Sequence, residues 1–388
     1  MNVPKLRFKE FDGEWTKYLL NDLVDFHNNQ RKPVKETDRI SGEFPYYGAS
    51  GIVGYVNDFI FEGEYLLLSE DGANIISRNL PIVYKTKGKF WVNNHAHIFT
   101  SKSFISQEFL FQYLEKINYI PFNSGTAQPK LNLDSIKSIP LFIPKYEEQE
   151  KLSDLLCRID KKIQLQQQKI DLLQEQKKGF LQKMFPKVGE TQPEMRLDGF
   201  TGDWEVYKWV DTVDISTNMV DPKNVEYDEF LHIGPGNIES FTGRILDNVN
   251  TVKEDNLISG KFHFKAGDII YGKINPQLAK YTLVNFEGLA SADAYILNAK
   301  NGINQQYLYT ILQGEKFYKY SVSVSMRTGM PKINRDELNQ YNYLAPNLKE
   351  QQKIGEFFKG LDNKIEVQKR KLQLLQKQKQ GFMQQMFI

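Results

Sequence analysis

The chain has 388 residues, of which 40% are hydrophobic and 13% aromatic, a globular composition that excludes a globally disordered protein. A chain of this length can form two or three domains, each with its own core. The single Cys157 excludes an internal disulfide, and the sequence shows neither a signal core after Met1 nor an apolar run of membrane-spanning length, so we expect a cytoplasmic protein.

Residues 1–145 are predicted to form the first globular segment. It opens with a lead-in, Pro4-Lys5-Leu6-Arg7-Phe8, which is followed by Trp15. The apolar run after Gly63 predicts a strand, and residues 105–114 have helical spacing behind a capping Ser106. The segment therefore combines strands with short helices around its own core.

Residues 146–186 are predicted to form a long helix. Its seam residues alternate four and three positions apart, a spacing that is buried most readily against a second such stripe. The seam consists of Leu152, Leu156, Ile159, Ile163, Gln166, Ile170, Leu173, Lys177, Phe180 and Met184. The two polar positions in it would set the register and the partner at some cost in stability.

A polar linker rich in proline and glycine separates this helix from a second globular segment, residues 187–346. The lead-in recurs there at an offset of 189 as Pro193-Glu194-Met195-Arg196-Leu197, again before a tryptophan, Trp204. Residues 267–271 resemble residues 63–67, and residues 303–312 resemble residues 105–114. Residues 190–346 hold 15 Lys or Arg against 21 Asp or Glu. A nucleic-acid-binding domain is usually basic, so this segment would need a local basic face to bind nucleic acid.

Residues 347–388 repeat the long helix. Residues 144–185 match residues 346–387 without a gap at an offset of 202, and the polar seam positions coincide, since Gln368 and Lys379 match Gln166 and Lys177. The natural partner of each helix is therefore the other copy. The alternative, two unrelated amphipathic helices that each lie on their own segment, leaves the matched polar positions unexplained.

This organisation resembles the specificity (S) subunits of type I restriction-modification systems. The resemblance rests on the two lead-ins, on the repeated helix ends Gly179-Phe180-Leu181-Gln182-Lys183-Met184-Phe185 and Gly381-Phe382-Met383-Gln384-Gln385-Met386-Phe387, and on Pro45-Tyr46-Tyr47-Gly48. It implies an α+β fold in which two α/β target recognition domains, residues 1–145 and 187–346, are separated by a pair of long antiparallel coiled-coil helices, residues 146–186 and 347–388. The whole forms a pseudo-two-fold internal repeat.

The same resemblance implies a non-catalytic subunit that recognises a bipartite, asymmetric target in double-stranded DNA. Its implied partners are two methyltransferase (M) subunits and restriction/translocase (R) subunits. No cofactor is expected on this chain, whereas S-adenosylmethionine, ATP and Mg are expected on the partners. An alternative is a coiled-coil scaffold that joins protein-binding domains without contacting nucleic acid, which the acidic second segment favours.

DNA recognition requires donors for phosphates and side chains that reach base edges, and polar loops at residues 123–130 and 325–332 supply both. The candidates in the first segment are Arg31, Lys32, Tyr46, Tyr47, Ser50, Arg78, Asn94, Ser124, Thr126, Gln128 and Lys130. Those in the second segment are Asn237, Arg244, Lys273, Asn275, Gln277, Lys280, Arg327, Thr328 and Lys332. The alternative for each is an ordinary surface residue, and the tyrosines could pack in a core.

The helices offer candidates for subunit docking and coil register, namely Gln166, Lys177, Gly179, Phe180, Gln368, Lys379, Gly381 and Phe382. A glycine inside a helix costs about 1 kcal/mol relative to alanine. Its repetition indicates the close approach of another helix or subunit, although fraying of the helix end would also tolerate glycine.

Catalytic and metal sites are not expected. Asn275-Pro276-Gln277-Leu278 and Gly234-Pro235-Gly236 are poor matches to methyltransferase motifs. Cys157 lies on the first long helix beside the seam residue Leu156, where a thiol is usually a buried small hydrophobe. His95-Ala96-His97 lacks an evident third ligand. A self-contained nuclease or methyltransferase is therefore disfavoured.

Overall fold

The computed structural model describes residues 2–326 and 329–388. None of the helices in these ranges combines the length and the apolar character needed to cross a lipid bilayer.

The first globular segment is built from short strands with small helices between them. The strands are β1 Thr16–Leu19, β2 Val24–Phe26, β3 Phe44–Gly48, β4 Gly51–Val56, β5 Phe61–Glu62, β6 Tyr65–Ser69, β7 Val83–Thr86, β8 Lys89–Val92, β9 Ala96–Ser101 and β10 Pro140–Ile143. The helices are α1 Leu20–Leu23, α2 Asn74–Ser77, α3 Gln107–Lys116 and α4 Leu133–Lys137. Short 3-10 helices cover Asn28–Gln30, Glu36–Asp38 and Ile120–Phe122.

Two sheets organise this segment. One has the strand order β2-β9-β6-β7 and is antiparallel, and the other has the order β4-β3-β8-β5 with β3 parallel to β8. Strand β6 is apolar along its length because both of its faces are covered: Leu66 and Leu68 face the main core, whereas Leu67 faces a second core with Tyr47 and Phe90.

The first long helix, α5, spans Tyr146–Lys183 and ends just before Pro186, which cannot continue a helix. The second globular segment follows with strands β11 Glu205–Lys208, β12 Val213–Ile215, β13 Met219–Val220, β14 Leu231–Ile233, β15 Lys261–Phe264, β16 Ile269–Gly272, β17 Tyr281–Leu283, β18 Gly288–Ala290, β19 Ala294–Ala299 and β20 Asn342–Ala345. Its helices are α6 Trp209–Thr212, α7 Gln305–Gln313, α8 Glu315–Ser325 and α9 Arg335–Asn339, with 3-10 helices at Val225–Tyr227, Pro235–Asn237 and Pro276–Leu278. The second long helix, α10, spans Leu348–Met386.

In the second segment the sheet β12-β19-β16-β17 repeats β2-β9-β6-β7. The other sheet has the order β13-β15-β18-β14, in which β15-β18-β14 repeats β5-β8-β3, but the fourth strand lies at the opposite edge, since β13 pairs with β15 whereas β4 pairs with β3. Ile269 pairs with Leu297 as Leu66 pairs with Phe99, so Ile269 is the equivalent of Leu66. The sequence match of residues 267–271 to residues 63–67 is therefore one residue out of register. A shift by one residue exchanges the two faces of a strand, and in the structural register Ile269 lies in the main core as Leu66 does.

The chain divides into two compact units, Met1–Gln167 with Arg370–Ile388, and Gln168–Lys369. Each unit therefore contains one globular segment and part of both long helices. In the second unit, Lys177 pairs with Asp362 and Phe180 packs against Phe357 with ring centroids 5.0 Å apart. Residue numbers thus rise along α5 while they fall along α10, so the two helices run antiparallel.

A phenylalanine from the second long helix completes the core of the first segment. The Phe387 ring lies 5.4 Å from the Phe109 ring and 5.0 Å from the Tyr113 ring, centroid to centroid, and packs edge-on to Trp15. The Lys116 Nζ donates to the backbone oxygen of Phe387 at 2.9 Å. This core is therefore closed by a residue distant in sequence.

The second segment has the equivalent arrangement. Phe185, just beyond the end of α5, stacks on Tyr307 with centroids 5.8 Å apart and packs edge-on to Trp204. Each globular core is thus completed by a phenylalanine that lies, in the sequence, just after the long helix of the other segment. The predicted α+β fold, with an internal repeat and long antiparallel helices, is confirmed.

Replacing Phe387 with alanine should destabilise the first segment by about 3 kcal/mol, because truncating a buried phenylalanine leaves a cavity. Hydrogen-deuterium exchange should then accelerate in α3 and β10 and remain unchanged in α7 and β20. Phe185→Ala should give the reverse pattern.

Val188→Ala serves as the control for both variants, since Val188 is 91% exposed. Equal acceleration of exchange in both segments by either single phenylalanine variant would contradict the assignment of one aromatic ring to each core.

Candidate nucleic-acid interface

The predicted loop at residues 123–130 of the first segment is closed by its own polar groups. The Asn123 Oδ1 accepts from the backbone N–H of Gly125 at 3.0 Å and of Lys130 at 2.8 Å. The Ser124 N–H donates to the Lys130 oxygen at 2.8 Å. Ser124, Thr126, Gln128 and Lys130 are exposed, although the Ser124 hydroxyl also donates to the Lys130 oxygen at 3.1 Å.

This loop is fixed to the turn after β6. The Gly72 N–H donates to the Pro129 oxygen at 3.0 Å, and the Leu131 N–H donates to the Glu70 oxygen at 2.7 Å. The Glu70 carboxylate then binds two predicted site residues, Arg31 at 2.7 Å and Lys130 at 3.4 Å. Residues distant in sequence are thereby gathered beside one loop.

Asn94 also belongs to this group, since Arg31 Nη1 lies 3.4 Å from its backbone oxygen and its side chain is exposed. Burial disfavours ionised Glu70, but the hydrogen bond from Arg31 and the charge of Lys130 lower the pKa of this carboxyl below its ordinary value. Glu70 therefore remains a carboxylate that neutralises its neighbours.

The imidazole of His97 is bonded to the backbone directly after the same loop. Its Nε2 donates to the Leu131 backbone oxygen at 2.7 Å, and its Nδ1 accepts from Asn28 Nδ2 at 2.9 Å. Burial lowers the pKa of His97, so it acts as a neutral donor with the proton on Nε2. Its neighbour His95 turns away and bonds to Asp71 at 2.7 Å.

The remaining candidates of the first segment differ in their burial. Tyr46 is fully buried, with its hydroxyl accepting from the Val34 N–H at 3.0 Å, and Tyr47 is 8% exposed. Arg78 is engaged by Glu115. Lys32 and Ser50 are exposed.

The matching loop of the second segment gathers an equivalent set. The Asn275 N–H donates to the Pro331 oxygen at 2.8 Å, and the Ile333 N–H donates to the Lys273 oxygen at 3.0 Å. Lys273, Asn275 and Lys332 are therefore neighbours. Arg327 and Thr328 lie outside the described residues.

A second group of candidates surrounds residues 238–245, which form a short hairpin. Arg244 bonds to Glu239 at 3.3 Å, and Lys369 of α10 reaches the same carboxylate at 2.9 Å. Lys280 Nζ donates to the Ile238 oxygen. Two further candidates, Asn237 and Gln277, lie in the same loop region, where Asn237 Nδ2 donates to the Asn248 oxygen at 2.9 Å and Gln277 Nε2 donates to the Asn275 Oδ1 at 3.3 Å.

The two lysines of the helix seams each form an ion pair with an aspartate of the other long helix. Lys177 pairs with Asp362 in one unit, and Lys379 pairs with Asp160 at 2.7 Å in the other. The acidic partners also match at the offset of 202. Burial raises the pKa of Asp362, so this pair forms in partial isolation from water.

The remaining coil candidates fall into three kinds. Phe180 and Phe382 pack against the cores of their units, and Gln166 and Gln368 are half-buried. A Cβ atom built at Gly179 or Gly381 would have no heavy atom within 4 Å. These glycines are therefore not required by contacts among the described residues of this chain.

The sequence analysis overlooked the residues that anchor each long helix. Arg7 donates to Glu148 through Nε at 2.8 Å and Nη2 at 2.7 Å, and Arg196 repeats both bonds to Glu350 at 2.8 Å. The signal was available, because Glu148-Gln149 recurs as Glu350-Gln351 and the arginine recurs in each lead-in.

Neither a nucleophilic cysteine nor a metal site is supported by the described residues. Burial and a hydrogen bond with Glu108 raise the pKa of the Cys157 thiol to about 11, which keeps it protonated and poorly nucleophilic. Across residues 2–326 and 329–388, no three His, Cys, Asp or Glu side chains are grouped as a metal site requires.

The sequence matches the model of one family twice, at residues 12–175 and 201–377, and the family is described as "Type I restriction modification DNA specificity domain". The type I restriction enzyme EcoDI specificity subunit of Escherichia coli is 26% identical over 370 residues, which cover 88% of this chain and 80% of that protein. A putative specificity subunit of Haemophilus influenzae, S.HindORF215P, is 39% identical over 143 residues, or 37% of this chain and 36% of that protein.

A solved structure has the same fold over the whole length. The S subunit of a type I restriction-modification system from M. genitalium superposes with a TM-score of 0.68 at 13% identity, covering 100% of this chain and 99% of that one.

Gly179→Ala and Gly381→Ala should each stabilise the free chain by up to about 1 kcal/mol, because alanine favours the helix and its Cβ meets nothing. Gly355→Ala is the matched control on α10 and should destabilise, since a Cβ there would lie 2.9 Å from the Gln306 Cβ. Urea unfolding measures all three, and a loss of stability in Gly179→Ala would contradict the open surface.

The ion pairs of Glu239 with Arg244 and Lys369 should make the free energy of unfolding depend on pH. Burial opposes ionisation, but bonds from Arg244, Thr242 and Lys369 lower the pKa of Glu239 from its ordinary 4.5 to about 2. Because the folded-state pKa is depressed, this stabilisation is complete above about 4.5 and is lost as the pH falls towards about 2.

Glu239→Gln should therefore destabilise the chain at neutral pH, and the difference from wild type should shrink below pH 4.5. Urea midpoints at several pH values measure this, with the exposed Glu229→Gln as control. A difference that stays constant down to pH 3 would refute the ion pair as its source.

Proposed function

Because this chain belongs to the family of type I restriction-modification DNA specificity proteins, we propose that it selects the DNA target of such a complex. The observation that carries this proposal is the double match of the family model, at residues 12–175 and 201–377. The chain is then a non-catalytic subunit, and the catalysis belongs to its partners. The scaffold alternative is not favoured, since the family is defined by DNA specificity.

Each globular segment is proposed to be a target recognition domain, residues 1–145 and 187–346, that recognises one half of a bipartite, asymmetric sequence. The two segments share a framework of sheets, while their loops at residues 123–130 and 325–332 differ in sequence. A shared framework with different loops suits two half-sites of different sequence.

The polar side chains of each loop and its neighbours are the proposed contacts. In the first domain these are Arg31, Asn94, Ser124, Thr126, Gln128 and Lys130, and in the second they are Lys273, Asn275, Gln277 and Lys332 together with Arg327 and Thr328. Amide and guanidinium groups can form two hydrogen bonds to a single base, whereas hydroxyl and ammonium groups are suited to phosphates. Tyr46 and Tyr47 support the first domain from its core, since both are buried.

The long helices, residues 146–186 and 347–388, are proposed to bind two methyltransferase subunits and to set the separation of the half-sites. The open faces at Gly179 and Gly381 support this, because a partner helix can approach a glycine closely. Restriction/translocase subunits would complete the complex in the cytoplasm, with S-adenosylmethionine, ATP and Mg bound by the partners and none by this chain.

Methylome sequencing of a host that carries this chain with its methyltransferase should reveal a two-part asymmetric motif. Deleting about one helical turn, or about four residues, from each helix within residues 165–173 and 367–375 should change the spacer and keep both half-site sequences. Loop variants such as Gln128→Ala should alter one half-site and keep the spacer.

The absence of any methylated motif that depends on this chain would refute the proposed function. Changed half-site bases with the original spacer in the helix deletion would refute the helices as the ruler. A substitution in the linker, such as Val188→Ala, is the control that should leave the motif unchanged.

A further inference from the structure

Glu70 and Lys273 occupy the same place in the two globular segments. The backbone oxygen of Glu70 accepts from the Leu131 N–H at 2.7 Å, and that of Lys273 accepts from the Ile333 N–H at 3.0 Å. Each residue follows the central strand of its sheet, β6 or β16. The two positions are therefore equivalent although one carries a negative and the other a positive charge.

The surroundings of these positions also correspond. A residue with positive φ lies two positions further on, Gly72 at 111° and Asn275 at 50°. The N–H of each donates to a proline oxygen of the facing loop, at 3.0 Å for Gly72 and 2.8 Å for Asn275. The equivalence thus extends across the turn and the loop it holds.

In each segment a side chain from the neighbouring strand, β9 or β19, donates a hydrogen bond to the residue that follows the loop. The donor is an imidazole in the first segment and a phenol in the second. His97 Nε2 donates to the Leu131 oxygen at 2.7 Å, and the Tyr295 hydroxyl donates to the Ile333 oxygen at 3.3 Å. The backbone hydrogen bonds are therefore the same in both segments, whereas the charge at the position of Glu70 and Lys273 differs.

In the first segment that charge cancels its neighbours. Glu70 binds Arg31 at 2.7 Å and Lys130 at 3.4 Å, and lies 3.7 Å from His97. One carboxylate shared by two cations reduces their net charge from +2 to +1 and so weakens their attraction for a further anion.

In the second segment no carboxylate takes the place of Glu70, although the charge of Asp293 acts on Lys273 from a greater distance than an ion pair. Lys273 Nζ lies 5.5 Å from the centroid of the Tyr295 ring, and the Arg335 guanidinium lies 5.7 Å from it. Arg335 is held by the oxygens of Ile215 and Ser216 at 2.8 Å each. Among the described residues, no carboxylate forms an ion pair with Lys273, Lys332 or Arg335.

We propose that these equivalent positions divide the electrostatic part of DNA binding unequally. Lys273 and Lys332, with Arg335 fixed behind them, bind a DNA phosphate in the second segment, whereas Glu70 masks Arg31 and Lys130 in the first. The inference rests on the proposed function. It also explains how a segment with an excess of acidic residues offers a local basic face.

The test measures binding of the full chain to a fluorescein-labelled duplex of random sequence by anisotropy at a series of salt concentrations. Each phosphate contact adds about 0.9 to the slope of log K against log salt. Lys273→Gln should weaken binding and reduce this slope by about one. Glu70→Gln should strengthen binding at low salt and increase the slope, because two cations are released.

Lys273→Arg is the rescue variant and should restore the slope, which a merely misfolded site would not explain. Lys87→Gln is the matched control, because it removes an exposed lysine near the far end of β6 and should leave the slope unchanged.

An unchanged slope in Lys273→Gln, or weaker binding in Glu70→Gln, would overturn this inference and leave the proposed function standing. Failure of the wild-type chain to bind the duplex at low salt would overturn both.

Discussion

A buried arginine–carboxylate pair ties each long helix to the segment before it. Arg7 binds Glu148 and Arg196 binds Glu350 through two hydrogen bonds, and the two carboxylates are 2% and 0% exposed. Each glutamate lies in the first turn of its helix, where a negative charge is favoured. Removing one partner of such a pair leaves an uncompensated buried charge, so the lead-in and the helix start depend on each other.

The residue after each glutamate extends this joint into the globular segment. Gln149 Oε1 accepts from the Ser106 N–H at 2.9 Å, and Gln351 Oε1 accepts from the Asn304 N–H at 2.9 Å. The joint therefore fixes the lead-in, the helix and the cap of α3 or α7 together. The joints are the same at both helices, whereas the loops at residues 123–130 and 325–332 differ in sequence. The two segments thus combine a constant framework with variable loops.

The sequence predicted what depends on local periodicity and repetition. The heptad spacing gave the long helices nearly to their ends, and the offset of 202 identified Lys177 and Lys379 as special positions. It could not show that their partners are Asp362 and Asp160, because pairing between distant helices depends on register in space. Tyr46 was a candidate for DNA contact and is buried, because β3 lies between β4 and β8 in its sheet and the pairing with β8 joins strands remote in sequence. The equivalence of Glu70 and Lys273 likewise emerges only from backbone pairing.

The reciprocal completion of the two cores has a consequence for how the chain is made. Tyr113 bonds to the Ile388 oxygen across 275 residues of sequence, and Phe387 fills the core beside it. During synthesis the first segment must therefore persist with an open apolar socket until the second long helix has left the ribosome. Such a high contact order slows folding and exposes a sticky intermediate, so a chaperone that covers this socket would be most needed late in translation.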